Sequence, residues 1–412
     1  MNEAIVQGLD HTDALPALTP DAARPLTPAW VARLKLTDFR SYATTDLEFD
    51  RRPVVLSGIN GAGKTNLLEA ISYLAPGRGL KGAKLGEVGR REPGAAQAGA
   101  WAVAARLMTP RGTFEVGTGF TGIGGREKRV VRIDRGPQKS QASLAEVASA
   151  LWLTPEMDKL FLEGTSKRRR FLDRLVLGFD PGHSTRLASY EHAVRERAQL
   201  LIGDGGDGAW LDVLEREIAA LAVALACARR DVVVSLNGAL AGSVGPFPGV
   251  RLEVRGTVET WIEDGPALAT EDRLVSALRS ARPKDAELGG ASIGPHRSDL
   301  GAWHLVKGQE ATACSTGEQK TMLIAVVLAA ARLQAAERGA LPILLLDEVA
   351  AHLDDRARAA LIEAILELGA QAWLAGTDAG LFQAFGEQAQ FWRVDGGRVQ
   401  PGRANGASSG GE

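Results

Sequence analysis

Hydrophobic and polar positions follow two different periods along the chain, and the change from one to the other marks its elements. Residues 54–56 form a continuous apolar run, which predicts a short buried strand. From Leu67 to Leu74 the apolar positions repeat with the period of a helix, and a Pro-Gly pair then predicts its end. A strand and a helix therefore flank the glycine-rich residues 58–65.

The following part of the chain changes from strands to helices. Three segments alternate apolar and polar residues and predict short antiparallel strands: WAVAARL, GTFEVGTGF and KRVVRID. From about 145 to 240 the helical period dominates, and GDGGDG separates two helical stretches at about 180–203 and 209–238. These stretches predict a short helical arm of roughly 45 Å at 1.5 Å per residue. The chain is therefore expected to be an α/β protein, a mixed sheet with added antiparallel strands and an inserted α-helical second lobe.

The composition excludes several classes of protein. A chain of 412 residues with 45% apolar and 24% charged residues can bury a substantial core and predicts two or three lobes. The net charge is −2, so any nucleic-acid surface must be local. The two cysteines, Cys227 and Cys314, form no CxxC pair, which argues against a disulfide framework or a zinc hook. Because no apolar run could span a bilayer and no signal peptide is evident, we expect a cytoplasmic protein with no membrane partner.

The glycine-rich segment carries the strongest chemical signal. GINGAGKT fits the GxxxxGK[ST] pattern of a phosphate-binding loop (P-loop), with the required strand before it and helix after it. Glycines let backbone N–H groups turn toward an anion, and the helix N-terminus adds partial positive charge. Lys64 is expected to reach the β- and γ-phosphates of ATP, and the Thr65 hydroxyl to bind Mg²⁺. The candidate nucleotide-binding residues of this segment are Gly58, Asn60, Gly61, Gly63, Lys64, Thr65 and Asn66.

A second motif lies far along the chain. PILLLDE, residues 342–348, is an apolar strand that ends in two carboxylates, the Walker B pattern. Asp347 would hold Mg²⁺ and Glu348 would orient and deprotonate the attacking water, unless the strand simply ends in solvated acids. Asp354 follows at the turn toward a new helix and is a further candidate for nucleotide contact. Lys64 and Asp347 are 283 positions apart, and since strands that bind one Mg²⁺ are expected to be neighbours, a large insertion must separate two halves of one site.

The segment CSTGEQK, residues 314–320, opens a long apolar helix. Ser315 as N-cap with Glu318 three residues later forms a capping box, which is one complete interpretation. The same Ser-x-Gly-Glu start, 32 positions before Asp347, is also the signature motif of ABC-type ATPases, where the helix N-terminus caps the γ-phosphate bound by a second subunit. Ser315, Gly317 and Glu318 are therefore candidate nucleotide contacts in an ATP-dependent homodimer. The candidate catalytic residues are Lys64, Asp347, Glu348 and Ser315.

Together these segments resemble the RecF family of bacterial DNA-repair ATPases over roughly residues 31–400. The resemblance rests on LKLTDFRSYATTDLEF, APGRGLKGAKL, LTPEMDKLFLEGTSKRRRFLDR, IGPHRSDL and CSTGEQK. It places Arg40 as a basic residue that contacts the nucleotide.

The resemblance implies an ABC-type ATPase head that uses ATP and Mg²⁺, with a helical second lobe and no long coiled coil. It also implies an ATP-dependent homodimer that binds gapped or double-stranded DNA near junctions of single and double strands. There, with RecR-like mediator partners, such a protein helps to load the RecA recombinase.

The expected organisation follows from the order of the motifs. We expect a disordered extension over 1–29, the N-terminal half of the ATPase lobe over 30–145, a helical lobe over 146–285, the C-terminal half of the ATPase lobe over 286–399, and a flexible tail over 400–412.

Basic residues are concentrated in three places, at a density that suits contacts to DNA phosphates. Dimerisation could align them into one channel, while the alternative for each cluster is a solvated or salt-bridged face, and Arg170, Asp173 and Arg174 could pack inside the lobe. The clusters are Arg78, Lys81 and Lys84; Arg126, Lys128, Arg129, Arg132 and Arg135; and Lys167, Arg168, Arg169, Arg170 and Arg174.

Two features depart from the general ABC pattern. Thr377 stands near the position where transporters carry a histidine, and no glutamine switch follows the P-loop, since Gln97 lies in a Gly/Ala stretch. The loss of such contacts weakens transition-state stabilisation and predicts slow, DNA-stimulated ATP hydrolysis. His296 and Arg297 could approach the nucleotide or DNA, or lie in an ordinary loop held by Pro295.

The sequence leaves three alternatives to a DNA clamp: a chromosome-structure or double-strand-break ATPase, a transporter's nucleotide-binding subunit, and a scaffold that binds ATP without turnover. The lack of a long coiled coil or zinc hook disfavours the first. The inserted lobe, the missing histidine and the basic clusters disfavour the second.

Overall fold

The computed structural model describes residues 28–91, 99–122, 128–203, 208–242, 246–351 and 353–403. Most of the predicted extension (1–27) and tail (404–412), together with Gln97 and Arg126, lie outside the described residues.

The strands in this part of the chain are β1 (Trp30–Phe39), β2 (Tyr42–Glu48), β3 (Val54–Ser57), β4 (Trp101–Thr109), β5 (Gly112–Phe120), β6 (Val130–Ile133), β7 (Gly136–Pro137), β8 (Ala150–Leu153), β9 (Val250–Arg255), β10 (Asp299–His304), β11 (Gln309–Glu310), β12 (Ile343–Asp347), β13 (Ala372–Gly376), β14 (Gln390–Asp395) and β15 (Arg398–Pro401). The helices are α1 (Lys64–Ser72), α2 (Leu85–Val88), α3 (Thr165–Phe179), α4 (His183–Ile202), α5 (Gly208–Leu240), α6 (Thr257–Asp264), α7 (Ala267–Ser280), α8 (Arg282–Leu288), α9 (Thr316–Arg338) and α10 (Asp355–Leu368).

The central sheet has the strand order β15-β14-β3-β13-β12-β8. Its strands are parallel except for β15, which is antiparallel to β14. All residues of β12 and β13 are buried, as expected for parallel strands that other elements cover on both faces. The strands predicted before the P-loop and before Glu348 are confirmed as β3 and β12.

The expectation that these two strands are neighbours is wrong, because β13 lies between them. The two motifs still meet, since α1 packs against both β13 and β12. Because α1 lies against both strands, the Thr65 hydroxyl in its first turn reaches the carboxylate of Asp347 at the end of β12.

A second, antiparallel sheet has the order β2-β1-β4-β5-β6-β7. The three strands that sequence alternation predicts after the P-loop helix are confirmed as β4, β5 and β6. Val103 and Leu107 of β4 point into a core that α1 and one face of the parallel sheet complete, represented by Ile71, Leu345 and Trp373. The P-loop helix is thus enclosed between the two sheets.

The other face of the parallel sheet is covered by helices. Residues 322–331 of α9 are buried throughout, because α9 packs against α3, α5 and α10 as well as the sheet strand β8. Their core includes Leu344 and Leu374 of the sheet and Ile365 of α10. The apolar run that sequence analysis interprets as a buried helix is therefore α9.

The predicted pair of arm helices is confirmed as α4 and α5, which pack against each other. With 33 residues, α5 is roughly 50 Å long at 1.5 Å per residue. Leu214 and Ile218 pack in the arm with Leu274 of α7, while Leu236 and Leu240 pack in the core beneath the parallel sheet. One helix therefore belongs to both hydrophobic cores and joins the arm to the head.

At two of the expected domain boundaries, strands from the two sides of the boundary pair in one sheet. The strand β8, just after residue 145, is the edge strand beside β12. The strand β9 pairs with β10, although the expected boundary between residues 285 and 286 lies between them. The inserted lobe is therefore joined to the head through shared sheets, and the expected boundaries remain proposals.

The arm is held by a buried ionic network around Arg197 of α4. Its guanidinium donates to Glu215 of α5 at 2.9 Å and to Asp285 of α8 at 2.8 Å. Both carboxylates are fully buried, and Arg282 gives Glu215 a second partner. The network joins α4, α5 and α8. Each buried charge in it has lost its water and is stabilised instead by the opposite charges of its partners.

Replacing Arg197 by Met is expected to lower the free energy of unfolding by about 3 kcal/mol or more, because a buried charge loses its partner. Urea unfolding followed by circular dichroism measures this change. The matched control is Arg195→Met on the same helix, whose side chain is 64% exposed and lies 3.8 Å from Glu191. Equal unfolding free energies for the two variants would contradict the structural importance of the network.

Candidate nucleotide-binding site

The P-loop is a tight turn between β3 and α1 whose glycines are required by close packing. Gly58 has φ +155°, and a Cβ there would lie 2.2 Å from the Val394 carbonyl oxygen. Gly63 has φ +116°, and its Cβ would lie 2.8 Å from Ser41 Oγ. The loop is further fixed by the Tyr42 hydroxyl, which donates to the Gly63 carbonyl at 3.0 Å. Side chains are thus excluded and the backbone lines the cradle.

The backbone donors of the cradle are unpartnered. No hydrogen bond within the described residues uses the N–H groups of Gly61, Gly63, Lys64 or Thr65. The first N–H groups of a helix have no partner within the helix, and together with the partial positive charge of the helix N-terminus they are suited to bind an anion.

The ammonium of Lys64 lies against this loop. Its Nζ donates to the carbonyl oxygens of Gly58 at 2.7 Å and Ile59 at 3.0 Å. Burial lowers the pKa of Lys64, while the Glu348 and Asp347 carboxylates act in the opposite direction. The positive charge is therefore held beside the free N–H groups.

The two distant motifs meet in one hydrogen bond. The Thr65 hydroxyl lies 2.9 and 3.1 Å from the two carboxylate oxygens of Asp347. Burial raises the pKa of Asp347, and the negative charge of Glu348 adds to this effect, whereas Thr65 and Lys64 oppose it. A hydroxyl and a buried carboxylate side by side are a donor set of the type that Mg²⁺ prefers.

Glu348 has an unusual backbone. Its φ is +49°, in the left-handed region that residues other than glycine rarely adopt. Its N–H donates to the Ala375 carbonyl at 3.0 Å, which anchors the turn to β13. Such strain, typically about 1–3 kcal/mol, is found preferentially at functional positions.

Arg40 lies beside the P-loop helix in an ion pair that the sequence did not reveal. Its guanidinium contacts both carboxylate oxygens of Glu69 at 2.7 and 2.9 Å and the Glu87 carbonyl at 2.8 Å. Glu69 is completely buried on α1. Asn66 donates to Ser41 Oγ at 3.1 Å, close to the cradle. A buried acid four residues after Thr65 in an apolar helix is the one signal that could have indicated a basic partner.

The signature helix begins with the expected capping box. Ser315 Oγ accepts from the Glu318 N–H at 3.4 Å, and Glu318 accepts from the Ser315 N–H at 2.9 Å. Glu318 also pairs with Lys307, which together with the capping bonds lowers the pKa of Glu318 to about 2. Among the described residues, the N–H groups of Thr316 and Gly317 donate to no acceptor.

Within one chain, the signature residues do not meet the P-loop. Across the described ranges, Ser315, Gly317 and Glu318 form no hydrogen bond or ion pair with residues 58–66 or with Asp347 and Glu348. The helix instead touches the turn after Walker B, where Lys320 Nζ donates to the Ala351 carbonyl at 2.9 Å.

Asp354 has a clear structural role. It is the N-cap of α10, and its carboxylate accepts from the Ala357 N–H at 2.7 Å. Thr377 is exposed and directly follows β13, the strand between the two motif-bearing strands. Thr377, near the position where transporters carry a histidine, therefore lies at the carboxyl-terminal ends of the parallel strands, as do the P-loop and Asp347.

Several residues of the predicted basic clusters are internal. Arg168 forms a two-pronged ion pair with Asp299 at 2.7 and 2.9 Å. Arg174 stacks on Trp152, and burial lowers its pKa to about 9. Arg129 is half-buried and donates to the Gly77 carbonyl, and the loss of solvation lowers its pKa to about 10. The hypothesis that whole clusters face DNA is corrected for these three, because their charges serve the fold.

Other members of the clusters are exposed. Lys167 pairs with Glu163 at 2.5 Å but remains 48% exposed. Among the described members of the three clusters, the exposed ones without an ion pair are Arg78, Lys84, Lys128, Arg132, Arg135 and Arg170. Arg170 is thus exposed rather than packed inside the lobe, and its guanidinium donates to Ser166 Oγ.

His296 and Arg297 lie against the base of the arm. The His296 ring lies 2.5 Å from the Tyr190 hydroxyl of α4 and 2.8 Å from the Ala291 carbonyl. Burial lowers the pKa of His296, which favours the neutral ring. Arg297 also donates to the Ala291 carbonyl. These contacts give the pair a structural function in holding the loop to the arm.

Comparison with known proteins agrees with the geometry. The sequence model described as RecF/RecN/SMC N terminal domain matches residues 30–389. The DNA replication and repair protein RecF of Rhizobium rhizogenes is 45% identical over 90% of this chain and 98% of its own length. The chain belongs to the RecF family. The RecF protein of Agrobacterium fabrum is likewise 45% identical, over 90% of this chain and 98% of its own length.

Solved structures confirm the expected fold. The recombination mediator protein RecF with ATPrS, described as part of the RecFOR pathway, has a TM-score of 0.78 at 21% identity, covering 91% of this chain and 98% of that one. An SMC head bound to the C-winged helix domain of ScpA has a TM-score of 0.51 at 13% identity, covering 90% of this chain and 96% of that one. The RecF family assignment also decides against a transporter subunit. Within the described residues, no helix combines the length and apolar character needed to traverse a bilayer.

Replacing Gly58 by Ala is expected to lower the free energy of unfolding of the nucleotide-free protein by about 1–3 kcal/mol, because the new Cβ collides with backbone that must move. Urea unfolding measures the effect. Gly99→Ala is the matched control, since no heavy atom lies within 4 Å of its added Cβ. The required-glycine interpretation fails if both variants unfold like the wild type.

Proposed function

We propose that this chain is an ATP-dependent DNA-binding protein of recombinational repair. It acts as an ATP-gated homodimer on gapped DNA near junctions of single and double strands, and with RecR-like mediator partners helps to load RecA. Slow, DNA-stimulated ATP hydrolysis releases it. The observation that carries the proposal is the contact of Thr65 with Asp347 beside a cradle of free N–H groups.

The cradle fits a triphosphate. The free N–H groups of Gly61, Gly63, Lys64 and Thr65 and the N-terminus of α1 provide donors and partial positive charge, and the Lys64 ammonium adds a full charge. Gly58 and Gly63 let the loop pack against Val394 and Ser41 in a conformation that a Cβ would prevent. ATP in a RecF structure of the same fold supports this choice of nucleotide.

The donor set of Thr65 and Asp347 fits Mg²⁺. Bound there, Mg²⁺ would neutralise charge that develops on the phosphate oxygens. Lys64 binds the β- and γ-phosphates, and Glu348 orients the attacking water and accepts its proton. Asn60 and Asn66 border the cradle, and Arg40 lies next to it, held by Glu69.

The complete site needs two chains. The free N–H groups of Thr316 and Gly317 form a second anion-binding position, which among the described residues makes no hydrogen bond to the P-loop of its own chain. A partner's γ-phosphate is the ligand that fits it, so ATP joins two protomers and its hydrolysis separates them. Asp354, next to this turn, is proposed to contact the partner's nucleotide region.

DNA is proposed to bind the exposed basic residues, since unpaired Lys and Arg set affinity through phosphate contacts. Arg78 and Lys84 follow the P-loop helix, and Lys128, Arg132 and Arg135 lie on or near β6 of the antiparallel sheet. Slow hydrolysis follows from Thr377, which offers no imidazole to the transition state.

With ATP and Mg²⁺, the wild type is expected to sediment as a dimer, and Lys64→Met as a monomer that ATP does not stabilise. Ser315→Asp is expected to remain monomeric while keeping ATP binding, because its carboxylate repels the partner's phosphate. Thermal unfolding with ATP at about 100 times Kd should show roughly 2.7 kcal/mol of stabilisation for Ser315→Asp.

Ser315→Asp also separates the two interpretations of the motif. Asp is as good an N-cap as Ser, so the helix start is retained. If Ser315 serves only as a cap, this variant dimerises like the wild type, and the composite site is refuted. Ser315→Thr, which keeps both the cap and the neutral hydroxyl, is the positive control.

Glu348→Gln is expected to lower the single-turnover rate of ATP hydrolysis by about 100-fold or more, because the general base is lost. An ATP-bound dimer should then accumulate on gapped DNA and be detected by its slow release in a filter-binding chase. Glu367→Gln, at a side chain that is 63% exposed, is the control. If the protein is a scaffold that does not hydrolyse ATP, the wild type, Glu348→Gln and Glu367→Gln should all be released from DNA at the same rate.

A further inference from the structure

Two exposed apolar side chains flank the two halves of the composite site. Val306 is 83% exposed and Ile59 is 73% exposed, the highest values for large apolar residues in the described part of the chain. Ile59 is in the P-loop, five positions before Lys64. Val306 is in the turn between β10 and β11. Burying apolar side chains of this size against another surface is favourable, so a partner that covers both would gain free energy.

The turn that carries Val306 is attached to the signature helix. Lys307, the next residue, forms an ion pair with Glu318 of the capping box. The position of Val306 is therefore coupled to the free N–H groups of Thr316 and Gly317.

The turn is also rigid. The Gly308 N–H donates to the His304 carbonyl at 2.9 Å, and the Leu305 N–H donates to the Gly249 carbonyl at 3.0 Å. Gly308 has φ +61°, which closes the turn. Val306 is therefore presented by a fixed hairpin, so that burying it against a partner costs little conformational entropy.

Ile59 is held in the same way. Its carbonyl accepts from the Ala62 N–H at 3.2 Å and from Lys64 Nζ at 3.0 Å. Its carbonyl oxygen is thus held by two donors of the loop, while its side chain is 73% exposed.

We infer that Val306 of one protomer packs on Ile59 of a second copy of this chain when ATP closes the dimer. The inference rests on the proposed composite site. A two-fold axis that brings residues 316–317 of one chain to the P-loop of the other also moves their neighbours toward the same interface, and any Val306–Ile59 contact there occurs twice per dimer. The contact closes the rim of the pocket and excludes water from the phosphates.

A cysteine pair tests the contact directly. The variant Ile59→Cys/Val306→Cys is treated with a short bis-maleimide, with and without ATP and Mg²⁺. A covalent dimer is expected only when ATP and Mg²⁺ are present. Each single-cysteine variant shows how much cross-linking the native Cys227 and Cys314 contribute. The matched control is Ile59→Cys/Leu268→Cys, because Leu268 of α7 is also 70% exposed.

Val306→Ser tests the energetics without altering the P-loop. Its ATP-dependent dimer is expected to have a Kd raised about tenfold, or about 1.4 kcal/mol, with unchanged ATP binding by the monomer. Sedimentation measures dimerisation, and titration with a fluorescent ATP analogue measures binding.

The outcomes separate the two levels of the argument. If the wild type dimerises with ATP but Val306→Ser has the same Kd, or the two cysteine pairs cross-link equally, the Val306–Ile59 contact is refuted and the composite site stands. If the wild type does not dimerise with ATP, the proposed function fails and this inference fails with it.

Discussion

The hydrogen bond between the Thr65 hydroxyl and the Asp347 carboxylate is the constraint on which the rest of the structure depends. It joins residues 282 positions apart in a buried position. A buried carboxylate is costly unless it is paired, and the raised pKa of Asp347 reflects that cost. The hydroxyl and the nearby Lys64 offset part of it. The chain between the two motifs must therefore leave the sheet and return so that β12 is separated from β3 by β13 alone.

That requirement explains how the insertion is built. The chain between the motifs does not form a separate domain on a linker, because β8 joins the parallel sheet and α5 enters two hydrophobic cores. The signature helix α9 packs on α5 and also reaches the turn after Walker B through Lys320. Packed helices therefore connect the nucleotide site to the arm, and this connection is the route available for the proposed coupling of ATP state to DNA binding.

The sequence identified what depends on local pattern and backbone chemistry. The P-loop, the Walker B strand, the capping box at Ser315 and the arm helices each have a short signal with a physical cause. It could not identify what depends on tertiary pairing. The placement of β13 between the motif strands is a choice of sheet order, which motif spacing does not determine. The internal roles of Arg129, Arg168 and Arg174 are equally hidden, because a guanidinium that packs on an aromatic ring or binds carbonyls has the same local sequence as one that faces DNA.

The two interpretations of CSTGEQK turn out to be compatible. A helix that offers N–H groups to a ligand held by another chain must be ordered before that ligand arrives. The capping box achieves this by using the Glu318 N–H, while those of Thr316 and Gly317 stay free. Its cost is a carboxylate at the start of the helix, where it would repel phosphate. Glu318 is ionised at neutral pH, since its pKa is about 2, and the ion pair with Lys307 compensates this charge. The hairpin from β10 to β11 thus supplies the opposite charge that the proposed phosphate contact at the start of α9 requires.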